Sequence, residues 1–373
     1  MSSLRVLITN FALADRTGSE MYVYDLALAL AARGHTPLVY APQVGPLAAD
    51  LAKRGVEVRH SLATFSEPPD IVHGQHTVPS VNALLHFPGV PALYVCHDGT
   101  ARVDAPPIVP RILRHVAVDH NCRERVIKAG VPRDRIRVVY NSVDLTRFKP
   151  RPPLPARPAR ALLFSNYANG ETHLGAVRDA CSRAGLPLDV IGSGVGHPSA
   201  EPEAVIGQYD LVFAKARCAL EAMAVGTAVV LCDFRGAGRM VRSADVEEFR
   251  RWNFGARLLR QPLDPRILLK QIARYDPDDA TRVSRKIRAS AGLAHQVDEL
   301  IALYREVLAE WKHAPKPGRR SEARSAALAL RAVQPPVRRR ERLRRIRFVG
   351  PVLVAIKRLV FGPRRWLWAE GRS

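Results

Sequence analysis

The chain has 373 residues, 47% of them hydrophobic, and a formal net charge of +22 at pH 7. That length and apolar content are enough to fill two separate cores, which argues against a chain that is disordered throughout. The five cysteines are widely separated and form no CxxC pair and no Cys/His cluster at metal-ligand spacing, so the sequence predicts reduced thiols. The opening residues MSSLRVLITNF lack the pattern of a signal peptide, and we predict a cytoplasmic protein.

The first 150 residues alternate short β-branched runs with helical patterns, which is typical of a parallel sheet wound by crossover helices. A predicted helix at residues 19–33 carries apolar residues at helical spacing and stops before Gly34. We therefore predict a Rossmann-like domain over residues 1–150. Its strands are expected at residues 5–11, 38–41, 70–73, 92–97, 115–119 and 136–140.

Five prolines in the twelve residues KPRPPLPARPAR predict an interdomain linker at residues 151–160, because proline cannot donate a backbone hydrogen bond. The alternation then restarts, which predicts a second Rossmann-like domain over residues 161–312. The predicted fold class is α/β, with the two domains facing across a cleft at the carboxyl ends of both sheets, followed by a basic extension at residues 313–373. The second domain's strands are expected at residues 161–166, 188–194, 210–214 and 228–233, with helices near 173–184, from about 217, and at 296–311.

The first candidate site is the loop after the first predicted strand, which contains Gly18, Ser19 and Glu20. Gly18 permits a close backbone approach, and the helix that follows directs its unpaired N–H groups and positive dipole end at an anionic ligand. The alternative is an ordinary loop glycine with Ser19 as the helix N-cap.

The second candidate is the run LDVIGSGVG, in which Gly192, Gly194 and Gly196 follow a predicted strand. The third glycine comes only two residues after the second, so the run fails the dinucleotide fingerprint G-x-G-x-x-G and argues against a nicotinamide or flavin enzyme. A tight turn that lets a ligand approach the backbone at Gly194 fits the pattern better.

The third candidate joins a predicted strand to a predicted helix within DLVFAKARCALEAMAVG. Lys215 and Arg217 stand where two cations and a helix N-terminus can hold a diphosphate. Glu221 follows Arg217 by four residues and faces the same side of that helix. The alternative is an Arg–Glu pair on a solvated helix face, worth roughly 0.3 kcal/mol. The apolar residues around Glu221 favour the functional interpretation, because a carboxylate among them needs a partner.

These residues together resemble the GT-B glycosyltransferases related to retaining family 4, over roughly residues 4–311. The GSE run at residues 18–20 looks like that family's amino-terminal glycine loop, and PDIVHGQH with ALYVCHD resembles its paired strands that end in histidines, which puts His97 in the catalytic cleft. IRVVYNSVDLTRFKP at residues 136–150 is similar to the family's run before the hinge. EAMAVGTAVV resembles the second half of its two-glutamate motif, with Glu221 as the later glutamate.

The resemblance implies sugar transfer from a nucleotide-diphosphate sugar, with retention of configuration and without a bound metal or other cofactor. Glu221 is then expected to bind the donor ribose, and His97 to lie near the reacting sugar as an orienting hydrogen-bond partner. Lys215 and Arg217, with His97, form the expected catalytic set, since negative charge builds on the leaving phosphate. The expected donor-binding residues are Gly18, Ser19, Glu20, Asn166, Gly194 and Glu221.

Three departures from the family pattern predict an altered donor pocket. Phe213 stands eight residues before Glu221, where relatives carry their earlier glutamate. Near Asn166 the usual Gly-Arg pair is replaced by SNY, and Arg239 stands near the position of a family glutamate.

Asp276-Pro277-Asp278 resembles a DxD metal-binding motif. A polar helix is predicted to follow it, so we expect Asp278 or Asp279 to cap that helix instead.

The carboxy-terminal extension holds most of the net charge, because residues 313–373 contain 17 Lys or Arg against three acidic residues. Its apolar run before Lys357 is only nine residues long, too short for the roughly 20 residues of a membrane span. Arginines, an aliphatic block and two tryptophans instead predict an interfacial segment at residues 338–368 on an anionic membrane surface. A nucleic-acid tail is the rival and explains the arginines but not the aliphatic block.

The sequence therefore predicts a glycosyltransferase at the inner face of a membrane, with a glycan or lipid-linked acceptor, in cell-surface polysaccharide or glycolipid assembly. Two alternatives remain open. A sugar-nucleotide 2-epimerase has the same double-domain fold, and a non-catalytic sugar-nucleotide-binding protein is favoured by the missing earlier glutamate.

Overall fold

The first domain contains a seven-stranded parallel sheet and a separate pair of two-residue strands. The computed structural model describes residues 3–199 and 201–334. The elements of this domain are, in chain order, β1 (Arg5–Thr9), β2 (Ala12–Leu13), α1 (Gly18–Ala31), β3 (Thr36–Tyr40), β4 (Gln43–Val44), α2 (Pro46–Lys53), β5 (Glu57–Arg59), β6 (Ile71–Gln75), α3 (Thr77–His86), β7 (Ala92–Cys96), β8 (Ile112–Ala117), α4 (His120–Lys128) and β9 (Ile136–Val138).

The spatial order of the large sheet is β5-β3-β1-β6-β7-β8-β9, and every neighbouring pair is parallel. Every residue of the central strands β6 and β7 is buried, as expected where helices cover both faces of a parallel sheet. All six predicted strands are present, and the edge strand β5, which the sequence analysis missed, is only three residues long.

The second domain contains a five-stranded sheet in the order β11-β10-β12-β13-β14, which is parallel except for the antiparallel edge pair β13–β14. Its elements, followed by two carboxy-terminal helices, are β10 (Ala161–Phe164), α5 (Leu174–Arg183), β11 (Leu188–Ile191), α6 (Pro202–Val205), β12 (Leu211–Ala214), α7 (Ala216–Val225), β13 (Ala228–Asp233), β14 (Gly236–Met240), α8 (Val246–Arg251), α9 (Pro265–Ile272), α10 (Pro277–Ser290), α11 (Leu293–His313) and α12 (Arg319–Val333). The two sheets bear out the predicted α/β fold of two Rossmann-like domains.

The chain crosses between the domains at two adjacent places. Val143 pairs with Gly292 through an isolated bridge, and Val143 N–H donates to the carbonyl of Ala291. Phe148 already lies in the core of the second domain. The crossing therefore precedes the proline-rich residues 151–160, which run along the second domain.

The last two helices pack against the first domain, although α11 was predicted to belong to the second domain (residues 161–312) and α12 lies in the predicted extension (residues 313–373). The apolar face of α11 lies in the first domain's core, and Tyr304 Oη hydrogen-bonds His73 Nδ1 of β6 at 2.7 Å. Helix α12 packs on α3, where Glu322 forms an ion pair with the buried Arg111. An apolar stripe predicts a helix but does not reveal which surface it covers.

Asp276 caps α10 by accepting a hydrogen bond from the backbone N–H of Asp279 at 2.9 Å. The DxD pattern thus contains a helix cap, as expected, although the cap is its first aspartate rather than Asp278 or Asp279. The predicted membrane segment, residues 338–368, lies outside the described residues. Within the described part of the chain, no helix combines the length and apolar character needed to cross a membrane.

Candidate functional site

Two adjoining cavities of about 530 and 490 Å³ lie between the carboxyl ends of the two sheets. Both domains line each of them, and their volumes fall in the range typical of small-molecule sites. Of the nine predicted site residues, seven line one or both cavities. These seven are Gly18, Ser19, His97, Asn166, Lys215, Arg217 and Glu221.

Glu20 faces the protein instead of the cleft. Its carboxylate accepts hydrogen bonds from the backbone N–H groups of Ala14, Asp15 and Thr17, and from Thr17 Oγ1 at 2.5 Å. Thr17, not Ser19, is the N-cap of α1, and the Thr17–Glu20 pair forms a capping box. The expectation that Glu20 binds the donor directly is therefore corrected, because both carboxylate oxygens hold the β1–α1 loop in place.

Gly194 also faces a neighbouring loop and not the cleft. A Cβ added at Gly194 would collide with the carbonyl oxygen of Ala168 and lie 2.9 Å from that of Asn166. The loop after β10, and not a ligand, lies against this glycine, which corrects the expectation that Gly194 binds the donor. Asn166 is held from the same side, because its Oδ1 accepts the N–H of Ser193 at 3.1 Å, and it lines both cavities.

His97 follows β7 and lies against the ring of Tyr22, with centroids 4.6 Å apart in an edge-on arrangement. Burial lowers the pKa of His97 to about 3, so its imidazole is neutral near pH 7. Its Nε2 is buried and has no hydrogen-bond partner among the described residues. The backbone behind it is fixed by Asp104, whose carboxylate accepts the N–H groups of His97 and Asp98 at 2.5 Å each.

Lys215 lies at the carboxyl end of β12 and is the N-cap residue of α7. Its ammonium forms an ion pair with the fully buried Asp233, and it lies 5.2 Å from the ring centroid of Tyr167 and 5.5 Å from that of Phe234. The next residue, Ala216, has φ of 49°, a left-handed conformation that costs energy for any residue with a Cβ. Such strain is concentrated at functional sites, and here it lies on the cleft wall.

Arg217 connects the two domains. Its Nε donates to Glu221 Oε1 at 2.7 Å, and its Nη2 forms an ion pair with Asp25 of α1. Asp25 also pairs with Arg147 at 3.1 Å, and Arg147 pairs with Glu203 at 2.9 Å. Asp25 and Arg147 were not among the predicted site residues, because they are distant from Arg217 in the chain. The Arg217–Glu221 spacing was visible in the sequence, but Glu221 is buried rather than on a solvated face, and burial raises its pKa.

The predicted cations are thus paired with carboxylates in this structure. Among the described residues, Arg16 and Arg235 line the cleft without a carboxylate within ion-pair distance. No side chain caps the amino terminus of α7, and the N–H of its first residue, Ala216, donates to the carbonyl of Phe254 at 2.9 Å. The positive dipole end of the helix lies at the cleft wall. Cleft residues not anticipated from the sequence include these two arginines, Asp119 and Asn141.

The sequence model of Glycosyltransferase Family 4 matches residues 16–147, and no curated protein sequence matches the chain. A glycosyltransferase from Rickettsia africae is similar in structure, with a TM-score of 0.61 and 14% identity over 83% of this chain and 99% of that one. HepE from Anabaena, solved with UDP, has a TM-score of 0.61 and 14% identity over 82% of this chain and 100% of its own. Sucrose-phosphate synthase from Thermosynechococcus elongatus has a TM-score of 0.57 and 14% identity over 82% of this chain and 99% of its own. The expected resemblance is confirmed: the chain has the fold of the GT-B glycosyltransferases, and its first domain is similar to Glycosyltransferase Family 4.

Proposed function

We propose that the protein transfers a sugar from a nucleotide-diphosphate sugar to a glycan or lipid-linked acceptor, with retention of configuration, in cell-surface polysaccharide or glycolipid assembly. The observation that supports this best is the amino terminus of α7, which opens into the interdomain cleft between Lys215 and Arg217. A helix start flanked by cations suits a diphosphate. HepE, which has the same fold, was solved with UDP, and we infer that this cleft binds a nucleoside diphosphate.

In the proposed reaction the glycosidic bond to phosphate breaks while positive charge develops on the sugar ring. Negative charge builds on the leaving diphosphate, and the positive dipole end of α7 together with Lys215 and Arg217 stabilises it. Glu221, one turn into the same helix, binds the ribose. His97 is a neutral imidazole that lines the smaller cavity and orients the reacting sugar through a hydrogen bond.

Binding of nucleoside diphosphates tests these roles. A thermal-shift screen of UDP-, GDP- and ADP-sugars identifies the nucleotide, and calorimetry then measures its Kd for the wild type, Lys215→Ala and Arg217→Ala. We expect each substitution to weaken binding at least tenfold, about 1.4 kcal/mol. Lys286→Ala is the matched control, because Lys286 is an exposed cation paired with Glu247 and lines neither cavity. If both cleft variants bound the nucleoside diphosphate as tightly as the wild type, Lys215 and Arg217 would not bind the diphosphate.

Product analysis separates the two alternatives from glycosyl transfer. Conversion of the donor to its 2-epimer, without release of nucleoside diphosphate, indicates an epimerase. Binding of the donor with neither hydrolysis nor transfer indicates a binding protein.

We further propose that residues 338–368 hold the enzyme on an anionic membrane surface at the cytoplasmic face. The support is the sequence of this segment, in which arginines flank an aliphatic block and two tryptophans. Membrane binding is measured by co-sedimentation with vesicles that contain phosphatidylserine. The full chain should sediment with the vesicles, and a chain ending at residue 334 should not. Sedimentation with RNA but not with the vesicles would contradict this proposal.

A further inference from the structure

Two aromatic side chains stand exposed on the wall of the cleft. Tyr167, in the loop after β10, is 57% exposed, and Phe234, directly after β13, is 44% exposed. Their ring centroids are 5.6 Å apart, and both line the smaller cavity. Large apolar side chains next to each other in a concave site mark a place where a ligand removes them from water.

The two rings are held in place by the cation that they share. Lys215 lies 5.2 and 5.5 Å from the two centroids and is tied from behind to the fully buried Asp233. A cation near an aromatic ring restricts that ring through its quadrupole. The aromatic pair is therefore positioned before any ligand arrives, which lowers the entropic cost of binding.

The first domain also lines this cavity, and it contributes mainly polar residues. It presents Asp98 after β7, Asp119 and Asn121 at the start of α4, and Asn141 after β9. The side-chain amides of Asn121 and Asn141 form no hydrogen bond within residues 3–199 and 201–334. Carboxylates accept hydrogen bonds, and amides both donate and accept them.

We propose that this cavity is a pyranose subsite, in which Tyr167 and Phe234 stack on one face of a sugar ring while Asp98, Asp119, Asn121 and Asn141 bind its hydroxyl groups. A pyranose has an apolar C–H face and a rim of hydroxyls that donate and accept, which matches one aromatic wall and one Asp/Asn wall. A nucleobase can also stack on aromatic rings, but it has no matching rim of hydroxyls. The inference rests on the proposed function and adds the recognition of the sugar itself.

The sugar ring can come from the acceptor or from the donor, and calorimetry distinguishes the two. One arm titrates a panel of gluco-, galacto- and manno-configured disaccharides into the protein, with no nucleotide present. The other compares UDP-, GDP- and ADP-glucose with the free diphosphates. The variants are Tyr167→Ala, Phe234→Ala and their combination, with Tyr167→Phe as the conservative substitution. Phe11→Ala is the matched control, because Phe11 is 41% exposed and lines neither cavity.

We expect the double variant to weaken binding of the sugar roughly tenfold, while Kd for the free diphosphate changes less than twofold. If the double variant binds the disaccharides more weakly, the subsite belongs to the acceptor. If it loses only the extra affinity that the glucose moiety gives a nucleotide sugar over the free diphosphate, the subsite belongs to the donor. Tyr167→Phe keeps the aromatic ring and should weaken sugar binding less than Tyr167→Ala does, whereas Phe11→Ala should bind sugar as the wild type does.

Two results would overturn the proposal. Equal weakening of the free diphosphate would show that the rings act through Lys215 or on the nucleobase. The proposal also fails if the double variant binds sugars in both arms as the wild type does. It fails as well if the wild type binds no disaccharide and binds the nucleotide-glucose donors no more tightly than the free diphosphates. The disaccharide arm needs no nucleotide, so its outcome is separate from failure of the proposed donor site.

Discussion

Asp25 on α1 contacts Arg217, the residue that we propose to bind the donor diphosphate, and this contact makes a specific prediction about affinity. The Asp25 side chain is 7% exposed and pairs with both Arg217 and Arg147. A diphosphate that binds Arg217 must compete with this carboxylate. Asp25→Asn removes the competing charge, while Glu221 still pairs with Arg217 and Glu203 still pairs with Arg147.

The size of the effect follows from the bonds that change. A hydrogen bond to a charged group contributes about 1.5–3 kcal/mol, and the asparagine retains one accepting oxygen. We expect Asp25→Asn to lower the free energy of unfolding by about 1–2 kcal/mol, since one link between the domains weakens. Affinity for the nucleoside diphosphate should rise about tenfold, because displacing a neutral amide costs about 1.4 kcal/mol less than displacing a carboxylate.

Calorimetry with the best-binding nucleoside diphosphate and urea unfolding measure the two effects. Glu203→Gln is the matched control, because it removes one carboxylate from Arg147 and does not contact Arg217. It should leave the diphosphate affinity within twofold of wild type. If Asp25→Asn bound the diphosphate more weakly, or no better than Glu203→Gln, Asp25 would not compete for Arg217.

Three further predictions concern the free energy of unfolding. Burial raises the pKa of Asp104 to about 7 from an unfolded value near 3.8, so the folded state holds the proton more tightly. Stability should therefore fall as pH rises from about 4 to 7, by up to about 4 kcal/mol, and urea unfolding of Asp104→Asn should lack this slope. Gly194→Ala should lower stability by about 1–3 kcal/mol in the same measurement, because its Cβ meets the backbone of the loop after β10; a neutral result would refute that packing. Glu322→Gln should lower the free energy of unfolding by about 2–3 kcal/mol, because the guanidinium of Arg111 is buried. A change near zero would mean that the packing of α12 does not depend on this ion pair.

Local patterns in the sequence located most elements of the sheets. Alternation of β-branched runs and helical periods found six of the seven strands of the first sheet, because these signals depend on neighbours in the chain. The four-residue spacing of Arg217 and Glu221 similarly predicted a pair on one helix face, and the structure contains it. The role of Glu20 was also readable, since Thr17 three residues before it completes a capping box.

The rest of the site depends on contacts between distant segments. Asp25 and Arg217 are 192 residues apart, and no local pattern connects them. The partner of Gly194 is a loop of a neighbouring strand, so a glycine that looks like a ligand contact is explained only when both loops are seen. Helices α11 and α12 follow the second domain in sequence but complete the first, because their apolar faces fit surfaces formed much earlier in the chain.

Release of nucleoside diphosphate from a nucleotide sugar, measured with and without glycan acceptors, tests glycosyl transfer most directly. The wild type should release diphosphate faster with an acceptor, with the sugar recovered on that acceptor. The double variant Lys215→Ala, Arg217→Ala should be at least about 100-fold slower, the effect typical of losing transition-state charge stabilisation. Release by the double variant at the wild-type rate, or no release from any nucleotide sugar that binds, would contradict a glycosyltransferase site at the start of α7.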